Sequence, residues 1–136
     1  MLKLLVLVVQ VNLSLSEQYL IKILGDGHHL TRPETTGDGA FRAMRSALRQ
    51  GGISSDQLDH INTHATSTPA GDLCEARAIG RLLENNEDLL KKVSITANKS
   101  AVGHCFGAAG SVEGIFTVLS LYNVRSGMIF HKLILF

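Results

Sequence analysis

The sequence has 136 residues, of which 45% are hydrophobic and 18% charged, and this length and composition exclude a disordered or collagen-like chain. Its 13 basic and 12 acidic residues leave a net charge of +1, so the basic surplus that is typical of nucleic-acid-binding proteins is missing, and we expect no nucleic-acid partner. Two cysteines are too few for the disulfide framework of a small secreted domain.

The N-terminal segment contains the most apolar run of the sequence, residues 4–9, which follows Lys3. The short length and the valines of this run favour a buried β-strand, and the charged start leaves a secretory signal peptide as the alternative. A second strand-like stretch covers residues 19–24 and stops at Gly25. No run reaches the roughly 18 apolar residues that a membrane-spanning helix requires, so we expect no membrane span.

Hydrophobic periodicity predicts alternating helices and strands in the rest of the chain. Phe41, Met44 and Leu48 form an apolar stripe on the first helix, which Gly51 and Gly52 are expected to end. The predicted elements are a helix over 39–50, a strand over 59–63, a helix over 71–84, a strand over 93–97 and a helix over 108–122. This order predicts an α/β fold with a parallel or mixed sheet and crossover helices. The last helix is apolar nearly all round, so we expect it to be buried.

Two loops that follow predicted strands concentrate the reactive side chains. The first loop covers residues 63–72 and contains His64, and the second covers residues 98–110 and contains Lys99 and His104. Ligands of such sheets bind beyond the carboxyl ends of the strands, and consecutive strands are usually neighbours. The sequence therefore predicts that His64, Lys99 and His104 converge on one pocket.

Two imidazoles and one ammonium group in a pocket form an electrophilic cluster. Neutral imidazole N–H groups donate hydrogen bonds to an oxygen that becomes negative in a transition state, and a nearby lysine favours the neutral imidazoles by like-charge repulsion. The hydroxyl groups of Thr66 and Thr68 are candidates for binding a polar arm of the ligand. Such a cluster suits the stabilisation of an enolate or of a tetrahedral oxyanion.

The carboxylate and the thiols near these loops have structural interpretations. A carboxylate in so apolar a helix needs a cationic partner, so Glu113 is predicted to pair with Lys99. Cys74 and Cys105 are interpreted as small core residues, and a nucleophilic thiol at Cys105 is the alternative.

The histidines also raise the question of a metal site. His60 and His64 have the four-residue spacing of metal ligands on a helix, but the predicted strand removes the geometry that this spacing needs, so we predict no metal site. A small metal-binding protein that uses His60, His64 and His104 is the weakest alternative function.

Two segments of the chain resemble the signature loops in the C-terminal half of the β-ketoacyl-[acyl-carrier-protein] synthases, condensing enzymes of the thiolase-like superfamily: NTHATSTPAGD (62–72) and NKSAVGHCFGAAGSVE (98–113). The similarity continues upstream through GDGHHLTRPETTGDGAFRAMRSAL (25–48). The resemblance covers residues 25–122 and implies an incomplete thiolase-like C-terminal half. Residues 1–24 and 123–136 do not resemble the family, and we interpret them as non-family segments.

The resemblance implies an acyltransferase reaction in fatty acid biosynthesis, in which an acyl thioester is condensed with a malonyl group and carbon dioxide is lost. His64 and His104 match the two catalytic histidines of the family, which promote decarboxylation and hold the enolate and thioester oxygens. Lys99 matches the catalytic lysine, and Glu113 matches the acid that organises this lysine.

The resemblance also implies how the substrate arrives. Thr66 and Thr68 match threonines that line the phosphopantetheine channel of the family. The implied partner is the acyl-carrier protein, whose phosphopantetheine arm belongs to the substrate, so no separate cofactor is expected. The family is homodimeric.

The chain departs from the family at positions that affect the predicted activity. Neither Cys74 nor Cys105 matches the nucleophilic cysteine, which lies in the N-terminal half of the family's fold, so we expect this chain to be inactive in condensation by itself. Ala65 stands where many members have glycine, a change that the mitochondrial type tolerates. This favours a mitochondrial location, with cytoplasm or plastid as alternatives. The alternative function is a non-catalytic interaction subunit that binds a synthase or a carrier protein.

Overall fold

The computed structural model of the chain describes residues 27–29 and 32–124, so the predicted strands over 4–9 and 19–24 lie outside the described residues. The helices and strands, in chain order, are α1 (Asp38–Gly51), β1 (His60–Asn62), α2 (Pro69–Leu82), α3 (Glu87–Lys92), β2 (Ser94–Thr96), α4 (Lys99–Val102) and α5 (Ala109–Val124). Single 3-10 turns cover Ser55–Gln57 and Phe106–Ala108. Among these described helices, none has the length and apolar character needed to cross a bilayer.

The two strands pair in parallel, as the predicted strand–helix–strand order requires. The register pairs are His60 with Ser94, Ile61 with Ile95 and Asn62 with Thr96. The ladder continues past the end of β1, where the N–H of Thr63 donates to the carbonyl of Thr96 at 2.8 Å. Because β1 and β2 are parallel neighbours, the loops that follow them leave the same edge of the sheet.

The hydrophobic core lies where α1 and α2 pack together beside the strands. Its buried members are aliphatic, namely Met44, Leu48, Leu58, Ile61, Ala78, Ile79, Leu82, Leu83 and Val93. The N-terminus of α1 approaches α2 so closely that a Cβ atom at Gly37 would overlap the carbonyl oxygen of Cys74. Gly37 also has a φ of +71°, so both the turn and the helix contact require glycine here.

The helices begin and end at residues that favour helix termini. Gly52 follows α1 with a φ of +64°, as expected of a C-terminal glycine. α2 begins at Pro69, two residues before the predicted start, because proline has no N–H to lose in a first turn and its fixed φ suits the helix. The short helix α3 is absent from the prediction, since its six residues are too few to give a periodic pattern.

α5 is less buried than predicted. Glu113 and Thr117 are buried, whereas Ile115 and Leu119 expose 61% and 45% of their surface. The expectation that this helix is buried all round is therefore wrong for the described part of the chain. The reason is that α5 turns its polar residues towards the β1 side, where Glu113 has a cationic partner, and turns these apolar residues outwards.

His60 makes the stability of the fold depend on pH. The residue is only 7% exposed, its Nε2 atom lies 3.0 Å from Oγ1 of Thr96, and burial lowers the pKa of its imidazole. In the unfolded chain, His60 takes up a proton near pH 6.5, whereas in the folded chain it does so only at a lower pH. We therefore expect the free energy of unfolding to fall as the pH decreases from about 7 to about 5.

Urea unfolding across this pH range checks the prediction. The dependence should be smaller in His60→Gln, which keeps a hydrogen-bonding group beside Thr96, and unchanged in His28→Gln, which alters an exposed histidine. Equal pH dependence in the wild-type chain and in His60→Gln would contradict the assignment.

Candidate functional site

The site lies at the carboxyl ends of the two strands. Loop 1 (residues 63–68) connects β1 to α2, and loop 2 (residues 97–108) connects β2 to α5 and includes α4. Both loops border a cavity of about 310 Å³. The residues that line this cavity are Ala65, Thr66, Ser67, Asp72, Ala97, Lys99, Ser100 and His104. The cavity is therefore formed by the two loops that the sequence singles out, together with the first turn of α2.

The structure brings His64 and His104 together. Their ring centroids are 5.3 Å apart, and the ring planes meet at 83°, an edge-to-face arrangement. Phe106 stacks on the other side of His104, with a centroid distance of 5.4 Å and an interplanar angle of 23°. Of the three side chains predicted to converge on one pocket, Lys99 and His104 line the cavity, whereas His64 is not among the lining residues and lies beside His104. Both histidines are exposed to solvent.

Lys99 and Glu113 form a buried ion pair at the cavity. Nζ of Lys99 lies 2.5 Å from Oε1 of Glu113, and the two side chains are 5% and 10% exposed. The predicted partner of Glu113 is thus present in the structure. A buried carboxylate and ammonium tolerate burial only when they are paired in this way. The pair fixes the start of α4 to α5 and places the lysine in the wall of the cavity.

Glu75 is a residue of the site that the sequence analysis missed. Its Oε1 accepts a hydrogen bond from the N–H of His64 at 2.6 Å, and its Oε2 accepts one from the N–H of Ala65 at 2.8 Å. Burial raises the pKa of Glu75, against the opposing effect of these hydrogen bonds and of the Lys99 charge. No sequence pattern indicates this role, because it depends on the backbone turn at Ala65.

The backbone of loop 1 explains why this support is needed. Ala65 has a φ of +24° and Ser67 a φ of +62°, values that residues with a Cβ rarely adopt. The two hydrogen bonds to Glu75 hold the first of these turns, and with it the backbone that carries His64.

Replacing Glu75 by glutamine tests this support. The amide nitrogen of glutamine cannot accept a hydrogen bond, so either the His64 or the Ala65 N–H loses its acceptor. We expect hydrogen–deuterium exchange at these two amides to accelerate roughly threefold to tenfold. Glu87→Gln, which changes an exposed carboxylate on α3, serves as the control. Unchanged exchange at both amides in Glu75→Gln would show that the carboxylate does not hold loop 1.

Thr66 and Thr68, the two threonines of loop 1 that the resemblance assigns to the substrate channel, occupy different positions. Thr66 lines the cavity, whereas Thr68 precedes α2 and contacts Thr66 through their hydroxyl oxygens, which are 3.0 Å apart. The cavity contains further polar groups that the sequence analysis did not select, the hydroxyls of Ser67 and Ser100 and the carboxylate of Asp72. Oδ1 of Asp72 is buried and has no hydrogen-bond partner within the described residues, so it is available to accept from a ligand.

The two cysteines lie outside the cavity lining. Cys74 is buried on α2, as predicted. Cys105 is exposed, so its interpretation as a core residue is wrong. The physical reason is the course of loop 2, which turns at Phe106 with a φ of +46° and carries both residues on the outside of the domain.

The histidines do not assemble a metal site in the part of the chain that the structure describes, where no group of three potential ligands occurs. His60 is buried in β1 and contacts Thr96, whereas His64 lies beyond the end of the strand beside His104. His28 and His29 are exposed in a separate segment.

The chain thus forms an α/β domain with a cavity between two strand-end loops. Two adjacent imidazoles and a buried lysine–glutamate pair lie at this cavity. Residues 16–129 match the family described as "Beta-ketoacyl synthase, C-terminal domain". The chain therefore belongs to the β-ketoacyl synthase family.

Individual relatives agree with this assignment. The chain is similar to the mitochondrial 3-oxoacyl-[acyl-carrier-protein] synthase of Arabidopsis thaliana, with 46% identity over 99 residues that make up 73% of this chain and 21% of the relative. It is 46% identical to 3-oxoacyl-[acyl-carrier-protein] synthase 2 of Vibrio cholerae and 42% identical to a putative mitochondrial synthase of Schizosaccharomyces pombe, in each case over 73% of this chain and 23% of the relative. The chain thus spans between a fifth and a quarter of the length of these curated relatives.

Proposed function

We propose that this chain supplies the malonyl-decarboxylating part of a β-ketoacyl-[acyl-carrier-protein] synthase that acts in fatty acid biosynthesis. The observation that carries the proposal is the contact between His64 and His104 at a cavity that His104 and Lys99 line. The names of the relatives support the reaction class, and acyl-carrier protein is the corresponding partner.

In the proposed reaction, a malonyl thioester lies in the cavity with its thioester oxygen towards the two imidazoles. The bond between the malonyl α-carbon and its carboxyl carbon breaks, carbon dioxide leaves, and the electron pair forms an enolate. His64 and His104 donate hydrogen bonds to the enolate oxygen, which stabilises the charge that develops in the transition state. Lys99, held by Glu113, positions loop 2, and Thr66 binds the phosphopantetheine arm of the substrate.

Condensation needs an acyl group bound to a nucleophile, and we place this nucleophile outside the chain. In a complete synthase, the enolate carbon attacks the carbonyl of an acyl group held as a cysteine thioester, and the thiolate leaves. Neither Cys74 nor Cys105 is among the residues that line the cavity, which supports a nucleophilic cysteine outside these 136 residues. Without it, the enolate takes a proton, and the product is an acetyl thioester.

An assay of both half-reactions tests this function. The purified chain is incubated with malonyl pantetheine and an acyl pantetheine, and carbon dioxide, acetyl thioester and 3-oxoacyl thioester are measured. We expect carbon dioxide and acetyl thioester above the buffer rate and no 3-oxoacyl product. A 3-oxoacyl product would contradict the external nucleophile, and carbon dioxide release at the buffer rate would contradict the decarboxylation site.

A second candidate function, an interaction subunit that binds a synthase polypeptide, is favoured by the apolar surface around loop 2 and α5. Phe106 is 85% exposed, and Val102, Ile115 and Leu119 are also exposed. Apolar surface of this kind is typical of protein interfaces. Light scattering of the chain mixed with the Vibrio cholerae relative should detect a complex that Phe106→Ser weakens and Leu90→Ser, an exposed change on α3, does not. The absence of a complex would contradict this function.

The remaining proposals follow from the family. Phosphopantetheine belongs to the carrier-bound substrate, so no separate cofactor is proposed, and a homodimer is the proposed assembly of the complete enzyme. Relatives named as mitochondrial, bacterial and chloroplastic proteins all match the chain, and the mitochondrion is the proposed location, with cytoplasm and plastid as alternatives.

A further inference from the structure

Phe106, in loop 2, has a position that neither burial nor backbone preference explains. The residue is 85% exposed, although a phenylalanine side chain gains free energy by leaving water. Its φ of +46° lies in the left-handed region, which bulky residues rarely adopt. A phenylalanine is therefore unfavourable here in two respects, and both point to a role for the ring in what it contacts.

The ring of Phe106 stacks on the imidazole of His104. The two centroids are 5.4 Å apart, and the planes are inclined by 23°. His64 meets the same imidazole at 5.3 Å, with an interplanar angle of 83°. Both distances fall in the range of about 4.5–7 Å in which aromatic rings attract each other. The imidazole of His104 thus contacts two rings, one nearly parallel to it and one nearly perpendicular.

The contact with Phe106 restricts how the imidazole of His104 can turn. Within the residues that the structure describes, no group forms a hydrogen bond with the ring nitrogens of His104. The torsion about the Cβ–Cγ bond of a histidine has broad energy minima, so an imidazole without contacts samples many orientations. A ring stacked on one face blocks rotation of the imidazole plane through that face. Phe106 is therefore expected to narrow the range of orientations that His104 adopts.

The orientation of this imidazole matters for the proposed reaction. His104 and His64 each have to direct an N–H group to the same thioester oxygen, and hydrogen bonds weaken steeply when the angle at the hydrogen falls below about 120°. A donor that is aligned before the charge develops stabilises the transition state without a cost of reorganisation. A residue that holds the His104 ring in place therefore contributes to catalysis without contacting the substrate.

We propose that Phe106 is a positioning residue, whose ring holds the imidazole of His104 in the orientation that lets His104 and His64 bind one oxygen. The reaction that benefits rests on the proposed function. Phe106 is not among the residues that line the cavity, whereas His104 is, so Phe106 acts through His104. A leucine at this position would keep an apolar side chain but would present no flat face to the imidazole.

Decarboxylation of malonyl pantetheine by variants of Phe106 tests the proposal. Phe106→Leu should lower kcat roughly twofold to tenfold, the range that corresponds to the loss of one aromatic pair, and should leave KM nearly unchanged. Phe106→Tyr keeps a flat ring and should retain the wild-type kcat. The control Leu90→Ala shortens an exposed apolar side chain on α3 and should have no effect.

Two further measurements examine whether Phe106 acts through His104. Phe106→Leu should have no additional effect on decarboxylation in a His104→Ala chain, because the imidazole that Phe106 orients is then missing. In NMR spectra of the wild-type chain, the ring protons of His104 should show nuclear Overhauser contacts with those of Phe106. In Phe106→Leu the His104 signals should move downfield, because the ring current of the phenyl group is lost.

The proposal would be overturned by an unchanged kcat in Phe106→Leu, or by a loss in Phe106→Tyr as large as in Phe106→Leu. It would also be overturned if Phe106→Leu lowered the rate equally in the wild-type and His104→Ala chains, or left the His104 ring signals unchanged. Because Phe106 is exposed, the variants should have the urea unfolding curve of the wild-type chain, which verifies that the fold is intact.

The failure of this proposal is distinguishable from the failure of the proposed function. Carbon dioxide release by the wild-type chain at the buffer rate would contradict the proposed function, and the NMR comparison would still decide whether Phe106 orients His104. Wild-type decarboxylation that Phe106→Leu does not change would overturn only the positioning role. No synthase polypeptide is added in these assays, so the loss of an interface with a synthase cannot produce the expected effect.

Discussion

Replacing Lys99 by methionine is expected to lower the free energy of unfolding by about 3–5 kcal/mol, because the carboxylate of Glu113 is then buried without a partner. The two side chains are 5% and 10% exposed in the structure, so water cannot replace the lost ammonium group without opening the site. The measurement is urea unfolding of the full chain near neutral pH, with the wild-type chain and the variant compared at equal concentration.

A double variant and an exposed pair make this prediction specific. Lys99→Met/Glu113→Leu removes both charges and should regain most of the lost stability, because a buried ion pair contributes little more than an apolar pair of similar size. Lys91→Met breaks the exposed pair with Glu87 on α3 and should cost less than about 0.5 kcal/mol. A Lys99→Met chain as stable as Lys91→Met would contradict the burial of the pair.

Replacing His104 by alanine is expected to reduce the decarboxylation of malonyl pantetheine by about 10²–10³-fold, the usual cost of removing one donor to a developing oxyanion. The imidazole of His104 lines the cavity and lies 5.3 Å from that of His64, so the two rings can reach one oxygen. His64→Ala should give a similar loss. The measurement is the rate of carbon dioxide release at saturating substrate.

Two controls separate a chemical role from a structural one. His28→Ala changes an exposed histidine outside the cavity and should retain the wild-type rate. The double variant His64→Ala/His104→Ala should lose less than the product of the two single losses, because both rings act on the same oxygen. Wild-type decarboxylation by His104→Ala would remove this residue from the site.

Sequence reasoning predicts the features that depend on local pattern or on elementary electrostatics. The stripe of Phe41, Met44 and Leu48 predicts α1, and the glycine pair after it predicts the end of the helix. The need to neutralise a carboxylate in an apolar helix predicts the Lys99–Glu113 pair, 14 residues apart in sequence. Consecutive strands are usually neighbours, which predicts that the two loops lie at the same edge of the sheet. The parallel pairing of β1 and β2 confirms this prediction.

Features that depend on unusual backbone angles or on the tertiary course of loops escape such reasoning. The role of Glu75 depends on the turn at Ala65, where φ is +24°. At this turn the N–H groups of His64 and Ala65 both donate to the Glu75 carboxylate. Periodicity alone does not show that α5 turns Ile115 outwards, because an apolar helix has no polar face to mark its solvent side. Cys105 lies outside for the same kind of reason, since the turn at Phe106 decides its position.

The central claim is that His64 and His104 together bind the thioester oxygen of a malonyl donor. NMR spectra of the full chain, titrated with the malonyl amide of pantetheine, which resists decarboxylation, test this claim most directly. Assignments come from single histidine-to-glutamine variants. We expect the ring signals of His64 and His104 to shift with one common saturation curve, and those of His28 and His60 to stay unchanged. Saturable binding that leaves the His64 and His104 rings unshifted, or no saturable binding at all, would contradict it.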